Sequence, residues 1–378
     1  MNQWIQTVGK HLPHLSKPQA LVLALWSFGM VISQSSGLTS VARVIADLTQ
    51  QKEANVRQRL REWNRDQDDK TGHKRQELEV NACFVPLLCW VLGWWDAAEK
   101  RLILAMDATT LGDRFVVLAI SVVYRACAIP IAWKVYAVDD QPGWKAEWIR
   151  MFGLFKQVIP ADWTVLVTAD RGLYANWLFD AIKKLDWHPF LRINTNGKYC
   201  LSGSSQFFPI RQLASGIGCE WAGEVTCFKN KPVKGSLLIR WAEGYKDPWV
   251  ILTDLPVAQA NIAWYGLRAW IECGFRQIKR AGWRWNQTRM TDPERAARHW
   301  LAMAVATLWV VSVGGQIDAT LSASTLDPWP LFSPKLRSKH RPRLLSCFRQ
   351  GLLHILAALI AHRPLPLGRL DRPYDTPP

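Results

Sequence analysis

The chain has 378 residues, more than a single domain of about 100–200 residues, which excludes a peptide or a minimal binding module. Hydrophobic residues make up 49% and charged residues 21%, close to the averages of globular proteins, which excludes an intrinsically disordered chain. The chain has 47 Lys and Arg and 31 Asp and Glu, which gives a net charge of +16 and predicts a polyanionic partner. Nucleic acid is the first candidate for this partner and an acidic membrane surface is the second.

The cysteines and the apolar runs argue against three further classes of protein: disulfide-rich, zinc-stabilised and membrane-spanning. The eight Cys form no CxxC pair and no Cys/His zinc spacing, which argues against a disulfide framework or a structural zinc site and indicates a reducing cytoplasm. The longest apolar runs, residues 20–32 and 301–313, are shorter than the roughly 18–20 residues that cross a bilayer. We therefore predict both as buried helices.

Residues 1–95 are predicted to form a helical DNA-binding domain. Apolar residues recur there at helical spacing, and no segment has the pattern of a strand. The basic stretch 57–65 contains Arg57, Arg59 and Arg61, which we take as candidates for DNA contact. The alternative is an ordinary charged helix face in contact with water.

Residues 96–194 predict an α/β catalytic core. Apolar runs at 102–106, 115–123 and 129–138 predict three consecutive strands. The pattern continues as helix, strand, helix and strand, with the last two strands predicted at 163–168 and 188–193. This order predicts a mixed five-stranded sheet flanked by helices, with an antiparallel edge and a parallel centre.

The second half of the chain divides into three predicted regions. Residues 195–256 carry glycine- and serine-punctuated strand patterns and predict an inserted β-rich domain. Residues 257–315 predict the second part of the core: a long helix over 258–280, then a helix with Asp292 as N-cap and Pro293 in its first turn. Residues 316–378 predict a basic C-terminal helical tail.

Two aspartates lie where predicted strands end. Asp107 ends the first strand and Asp170 follows the end of the fourth, and functional groups collect at the carboxyl ends of strands in open sheets. If these strands are adjacent, the two carboxylates repel each other unless a hard divalent cation such as Mg²⁺ binds between them. The alternative is that each Asp only caps a turn, which is common.

The predicted helix 258–280 places five polar residues on one face. At about 100° per residue, Tyr265, Arg268, Glu272, Arg276 and Lys279 fall on a narrow stripe opposite the apolar residues. One interpretation is a solvated face with an ion pair between Arg268 and Glu272. The other is that Glu272 is a third carboxylate of a two-metal site, with Tyr265, Arg268 and Lys279 holding phosphates beside it.

Together these residues resemble the DDE transposases of bacterial insertion sequences. Asp107 and Asp170 correspond to the two aspartates of that family. Glu272 corresponds to its glutamate, because it lies in Tyr265-x2-Arg268-x3-Glu272-x6-Lys279, which has the family's Tyr-Arg-Glu-Lys spacing. The resemblance implies an RNase H-like core in which the three acids hold two Mg²⁺ ions, with Mn²⁺ as a substitute. It also implies that Tyr265, Arg268 and Lys279, with Arg276 as a further candidate, contact DNA near the cut ends, and that a tryptophan of the inserted domain stacks on a flipped base. The candidates for that stacking residue are Trp241 and Trp249.

The expected function is therefore cleavage at element ends and strand transfer into target DNA by in-line phosphoryl transfer. The partners would be double-stranded DNA, as terminal inverted repeats and as target, and a second copy of the chain on paired ends. No Walker A loop is present in the sequence, so we expect no nucleotide cofactor. We expect a cytoplasmic, nucleoid-associated protein that does not enter membranes. The alternatives are a nuclease of the same fold and a non-catalytic DNA-binding protein derived from a transposase.

Overall fold

The computed structural model describes residues 1–70, 76–140, 143–320 and 345–374. The α-helices are α1 (Asn2–His11), α2 (Lys17–Ser33), α3 (Leu38–Thr49), α4 (Glu53–Trp63), α5 (Val80–Trp94), α6 (Trp144–Gly153), α7 (Asn176–Lys183), α8 (Ala269–Arg276), α9 (Pro293–Thr320) and α10 (Cys347–Ile360). The strands are β1 (Arg101–Leu111), β2 (Phe115–Tyr124), β3 (Cys127–Ala137), β4 (Thr164–Ala169), β5 (His188–Arg192), β6 (Lys198–Leu201), β7 (Phe208–Pro209), β8 (Glu220–Cys227), β9 (Val233–Arg240) and β10 (Trp249–Thr253). Most of the basic residues predicted in the C-terminal tail, at 335–343, lie outside the described residues.

All ten strands form one sheet in the order β3-β2-β1-β4-β5-β10-β9-β8-β6-β7. Strands β1, β2 and β3 pair antiparallel, whereas β1, β4 and β5 pair parallel. Every residue of β2 is buried, as expected for a strand covered on both faces. The predicted sheet with an antiparallel edge and a parallel centre is confirmed.

The strands of region 195–256 extend the central sheet. Antiparallel pairing of β10 with β5 joins them to the core, and all five residues of β10 are buried. We predicted an inserted β-rich domain, and its strands continue the core sheet rather than form a separate one. The short strands β6 and β7 were not predicted, because two to four residues are too few to show an alternating pattern.

The helical N-terminus shares its apolar core with the rest of the chain. Helix α9 is long and apolar enough to cross a membrane, but 89% of its most apolar window is buried inside the protein. The bent pair α2–α3 passes the same test only when its two helices are counted together. Both predicted buried helices, at 20–32 and 301–313, therefore lie within core helices.

Helices α9 and α10 touch backbone to backbone through glycines. A Cβ built on Gly314 would lie 1.9 Å from the carbonyl oxygen of Cys347, and one on Gly351 would lie 1.9 Å from that of Val310. Real Cβ atoms do not approach a backbone oxygen so closely, so this crossing requires glycine on both helices.

The prediction of one regular helix over 258–280 was wrong. A 3₁₀ segment runs from Ile262 to Arg268, α8 follows, and a π-helical turn spans Gln277–Ala281. The Asn261 side chain accepts a hydrogen bond from the Ala263 N–H, so the helical run begins there. Periodicity detects which side chains are apolar but does not distinguish these three helix types over so few residues.

Candidate active site

The two aspartates are neighbours across parallel strands. Met106 of β1 is opposite Ala169 of β4, and each of these two residues is followed at the next position by an aspartate, Asp107 and Asp170. Asp107 does not end its strand as predicted: β1 continues to Leu111, but beyond Met106 it pairs with β2 alone. Asp107 therefore faces the space left where β4 stops.

Arg268 brings the third carboxylate to this pair. Its Nη2 donates to Asp107 Oδ2 at 2.6 Å and lies 3.9 Å from Asp170 Oδ2, and its Nη1 donates to Glu272. The Arg268 side chain is only 12% exposed, whereas that of Glu272 is 55% exposed. The Arg268–Glu272 ion pair of the first interpretation is present. It lies against the two strand aspartates, so the three carboxylates of the second interpretation are also close together.

Tyr265 holds Asp170 by a hydrogen bond to the carboxylate oxygen that does not face Arg268. Its hydroxyl donates to Asp170 Oδ1 at 3.2 Å, and Arg192 Nη1 lies 3.7 Å from the same oxygen. Burial, followed by the charge of Asp170, raises the Tyr265 pKa above its ordinary value, so the phenol keeps its proton and remains a donor. Tyr265 is itself held by Trp249, whose ring lies edge-on at 5.1 Å.

The two aspartates have pKa values displaced in opposite directions. Burial raises the pKa of Asp107, and the charge of Arg268 only partly opposes it. Burial acts the same way on Asp170, but Arg268, the Arg171 N–H, Arg192 and Tyr265 together outweigh it and lower its pKa. Paired carboxyl groups with divergent pKa values are typical of functional sites.

A cleft of about 730 Å³ opens beside Asp107 and Glu272 and is lined by basic residues, among them Arg276, Lys279 and Arg280. Lys279 Nζ donates to Thr109 Oγ1 at 2.7 Å and to the Thr110 carbonyl at 3.2 Å, and burial lowers its pKa. Arg276 is exposed in the same cleft. The predicted signature residues therefore lie together, with the carboxylates at one end and the cations along the wall.

The chemistry of these donors fits a hard divalent cation. Three carboxylates supply the oxygen ligands that Mg²⁺ prefers. A cationic guanidinium already lies among them, which shows that this position favours positive charge. Within the described ranges, no three His, Cys, Asp or Glu side chains lie close enough to hold an ion as they stand. An ion bound to these carboxylates would therefore compete with the Arg268 guanidinium for them.

The remaining predicted residues lie elsewhere in the structure. Trp249 is buried against Tyr265, so its ring faces are not available to a base in this arrangement; Trp241 is partly exposed and donates its indole N–H to the Tyr245 carbonyl. Arg57, Arg59 and Arg61 lie on α4, outside the carboxylate cleft.

Arg192 was missed by sequence reasoning. It ends β5, the next parallel strand after β4, and the strand-end argument applied to the two aspartates also points to it. Arg114, which lines the cleft, carries no such signal because it lies in the β1–β2 turn.

The mixed sheet and its flanking helices are consistent with an RNase H-like core. Residues 139–309 match the family model described as "Transposase DDE domain". The match covers less than half of the chain; it includes Asp170 and Glu272, and it begins after Asp107. No curated protein matches the chain. The predicted resemblance to DDE transposases of the insertion-sequence type is confirmed, and it supports transposase function in general.

Proposed function

We propose that this protein is a metal-dependent DNA transposase that cleaves DNA at element ends and transfers the freed strand into target DNA. The observation that supports this most strongly is the meeting of three carboxylates, from β1, from the end of β4 and from α8, at one guanidinium. The family match over residues 139–309 supports the same class of activity.

Asp107, Asp170 and Glu272 would hold two Mg²⁺ ions, with Mn²⁺ as a substitute. Such ions activate the attacking oxygen and stabilise the leaving oxygen of an in-line displacement. Tyr265 orients Asp170 by its hydrogen bond, so this carboxylate does not depend on an ion for its position. Its lowered pKa keeps it ionised at neutral pH.

The basic wall of the cleft would bind the DNA backbone. Arg276 and Lys279 lie along the cavity that opens from the carboxylates, within reach of phosphates next to the reacting one. Arg268 has two sets of partners in this proposal: the carboxylates in the free protein, and a DNA phosphate when the ions and the DNA are bound. Arg57, Arg59 and Arg61 on α4 would bind DNA farther from the cut, and Trp241 would stack on a displaced base.

Two alternatives use the same site. A nuclease of this fold would cut without joining strands, and a non-catalytic descendant would bind DNA without cutting. The carboxylates, their guanidinium partner and the tyrosine that orients Asp170 are all in place, which argues against the non-catalytic alternative. Joining of two ends in one reaction favours a homodimer on paired ends.

The test is a plasmid that carries the gene's native flanking DNA, incubated with Mg²⁺ or Mn²⁺ and mapped at nucleotide resolution. We expect cuts at paired inverted repeats and joined products with the wild type, and DNA binding without cuts with Asp107→Asn. Cuts without joints would establish the nuclease instead. Binding without metal-dependent cuts by the wild type would establish the non-catalytic protein.

A further inference from the structure

A second pocket lies where the N-terminal helices meet the catalytic half of the chain. It has a volume of about 530 Å³ and is lined by the turn into α3, by α4, by the segment 284–290 and by the start of α9. Among the described residues, its lining contains no acidic side chain and six arginines: Arg57, Arg61, Arg65, Arg284, Arg289 and Arg295. This pocket has no part in the carboxylate site described above.

Five of these six arginines have no acidic side-chain partner among the described residues. Arg295 pairs with Asp66, Asp69 and Asp292. By contrast, no ion pair among the described residues involves the other exposed arginines of the pocket, which are Arg57, Arg61, Arg284 and Arg289. Cations gathered without counter-charges repel one another, so the arrangement favours an anion from outside.

The first turn of α3 also faces this pocket. Gly37 is its N-cap and provides no side-chain cap, and Thr39 and Ser40 of the first turn are exposed in the pocket lining. The N-terminal N–H groups of a twelve-residue helix are unsatisfied donors with a partial positive charge, which suits a phosphate. The turn is fixed to the catalytic half, because the Ser36 N–H donates to the Trp283 carbonyl at 2.7 Å.

Two buried polar atoms of residues in the pocket lining lack a hydrogen-bond partner. Asn64 is 5% exposed and His299 is 3% exposed, and both line the pocket. The Asn64 Oδ1 and the His299 Nδ1 have no hydrogen-bond partner among the described residues. A buried polar atom without a partner costs about 1–3 kcal/mol. The amide oxygen only accepts hydrogen bonds and does not bind a phosphate, so the positive charge of the arginines and of the α3 N-terminus is what favours an anion.

The pocket and the carboxylate cleft are joined by one segment of chain. Asn286 lines the cleft, while the next residues, from Gln287 to Met290, line the arginine pocket. Arg114 lines the cleft, and its guanidinium donates to the carbonyls of Thr288 and Met290 at 2.6 and 3.1 Å. Basic side chains therefore continue from the cleft over this segment into the pocket.

We propose that the arginine pocket holds a backbone phosphate of the same DNA strand whose cut site lies in the cleft. The proposal rests on the proposed function, because it takes the polyanion to be DNA. Its new content is the place: the first turn of α3, with Arg57, Arg61 and Arg289 around it. Because both parts of the molecule form this pocket, a phosphate bound there fixes the helical N-terminus and the DNA relative to the carboxylates.

The test is the salt dependence of binding to a fluorescent duplex of the gene's native flanking DNA, with the full-length chain. Each lost phosphate contact lowers the slope of log K against log salt by about one unit. We expect that loss, and about tenfold weaker binding at 0.15 M salt, for Arg289→Gln and for Thr39→Glu. Arg363→Gln, an exposed arginine outside the described pockets, is the matched control and should leave both values unchanged.

Thr39→Glu separates the proposal from a folding defect. An acid in the first turn of a helix is favourable to that helix, so the variant should melt at or above the wild-type temperature while it binds DNA less tightly. Thr39→Gln should bind almost as the wild type does. If the wild type binds the duplex with a steep salt slope but Arg289→Gln and Thr39→Glu do so equally well, the phosphate site is refuted and the proposed function stands. If the wild type does not bind DNA, both are refuted.

Discussion

Replacement of Arg268 by Gln is predicted to tighten divalent-cation binding in the absence of DNA. Arg268 Nη2 lies 2.6 Å from Asp107 Oδ2. An ion bound to that oxygen at about 2.1 Å can be no farther than about 4.7 Å from the guanidinium nitrogen. Charges of +2 and +1 at this distance repel by about 2 kcal/mol even at the dielectric constant of water, and by more in a partly buried site. The substitution removes that repulsion and keeps a polar side chain.

The expected result is at least about twentyfold tighter Mn²⁺ binding by Arg268→Gln, since each 1.4 kcal/mol is a factor of ten. Free Mn²⁺ can be measured by its electron paramagnetic resonance signal at low ionic strength. Arg276→Gln is the matched control, because Arg276 lines the same cleft and contacts none of the carboxylates in the described structure. Equal or weaker affinity in Arg268→Gln, or the same gain in the control, would refute the competition between guanidinium and cation.

Three further results are expected. Asp318→Asn should lower the free energy of unfolding in urea by about 3–5 kcal/mol, because Arg125 pairs with Asp318 at 2.5 Å in the core; a loss below 1 kcal/mol would contradict this. Burial lowers the pKa of His299 from 6.5 to about 4, so the unfolded chain takes up this proton first. Stability should therefore be full above pH 6.5 and be lost, by about 3 kcal/mol in all, as the pH falls to 4, and His299→Gln should flatten this dependence. Tyr265→Phe should slow cleavage about tenfold and leave DNA affinity unchanged, because it removes only the hydrogen bond to Asp170; an unaltered single-turnover rate would show that Asp170 needs no such support.

The sequence predicted most of the core because its signals are local. Apolar runs bounded by turns place each central strand, and strand connectivity then favours adjacency of β1 and β4, which brings Asp107 and Asp170 together. The Tyr-Arg-Glu-Lys spacing places the third carboxylate. That Arg268 also bridges to Asp107 could not be predicted, because the contact joins residues 161 positions apart.

Other features escaped the sequence for physical reasons. The continuation of the sheet from β5 into β10 depends on long-range pairing, which no local pattern encodes. The arginine pocket combines residues from α3, α4 and the segment 284–290, and only the basic run on α4 was recognisable beforehand. The charge of that run predicted a candidate contact for DNA, and its position beside a helix N-terminus became visible only in the fold.

The continuous sheet fixes the distance between the inserted region and the carboxylate site. Strand β9 runs parallel to β4 and lies three strand spacings away, across β5 and β10, which is about 14 Å at roughly 4.8 Å per spacing. Trp241 directly follows β9, so it leaves the sheet at the same edge as Asp170. Hydrogen-bonded strands rather than a hinge set this lateral distance. The register places Leu238 level with Asp170, and Trp241 lies three residues, about 10 Å, farther along, so a base held by Trp241 would stand about 17 Å from Asp170. The spacing between recognition and cleavage would then be built into the sheet itself.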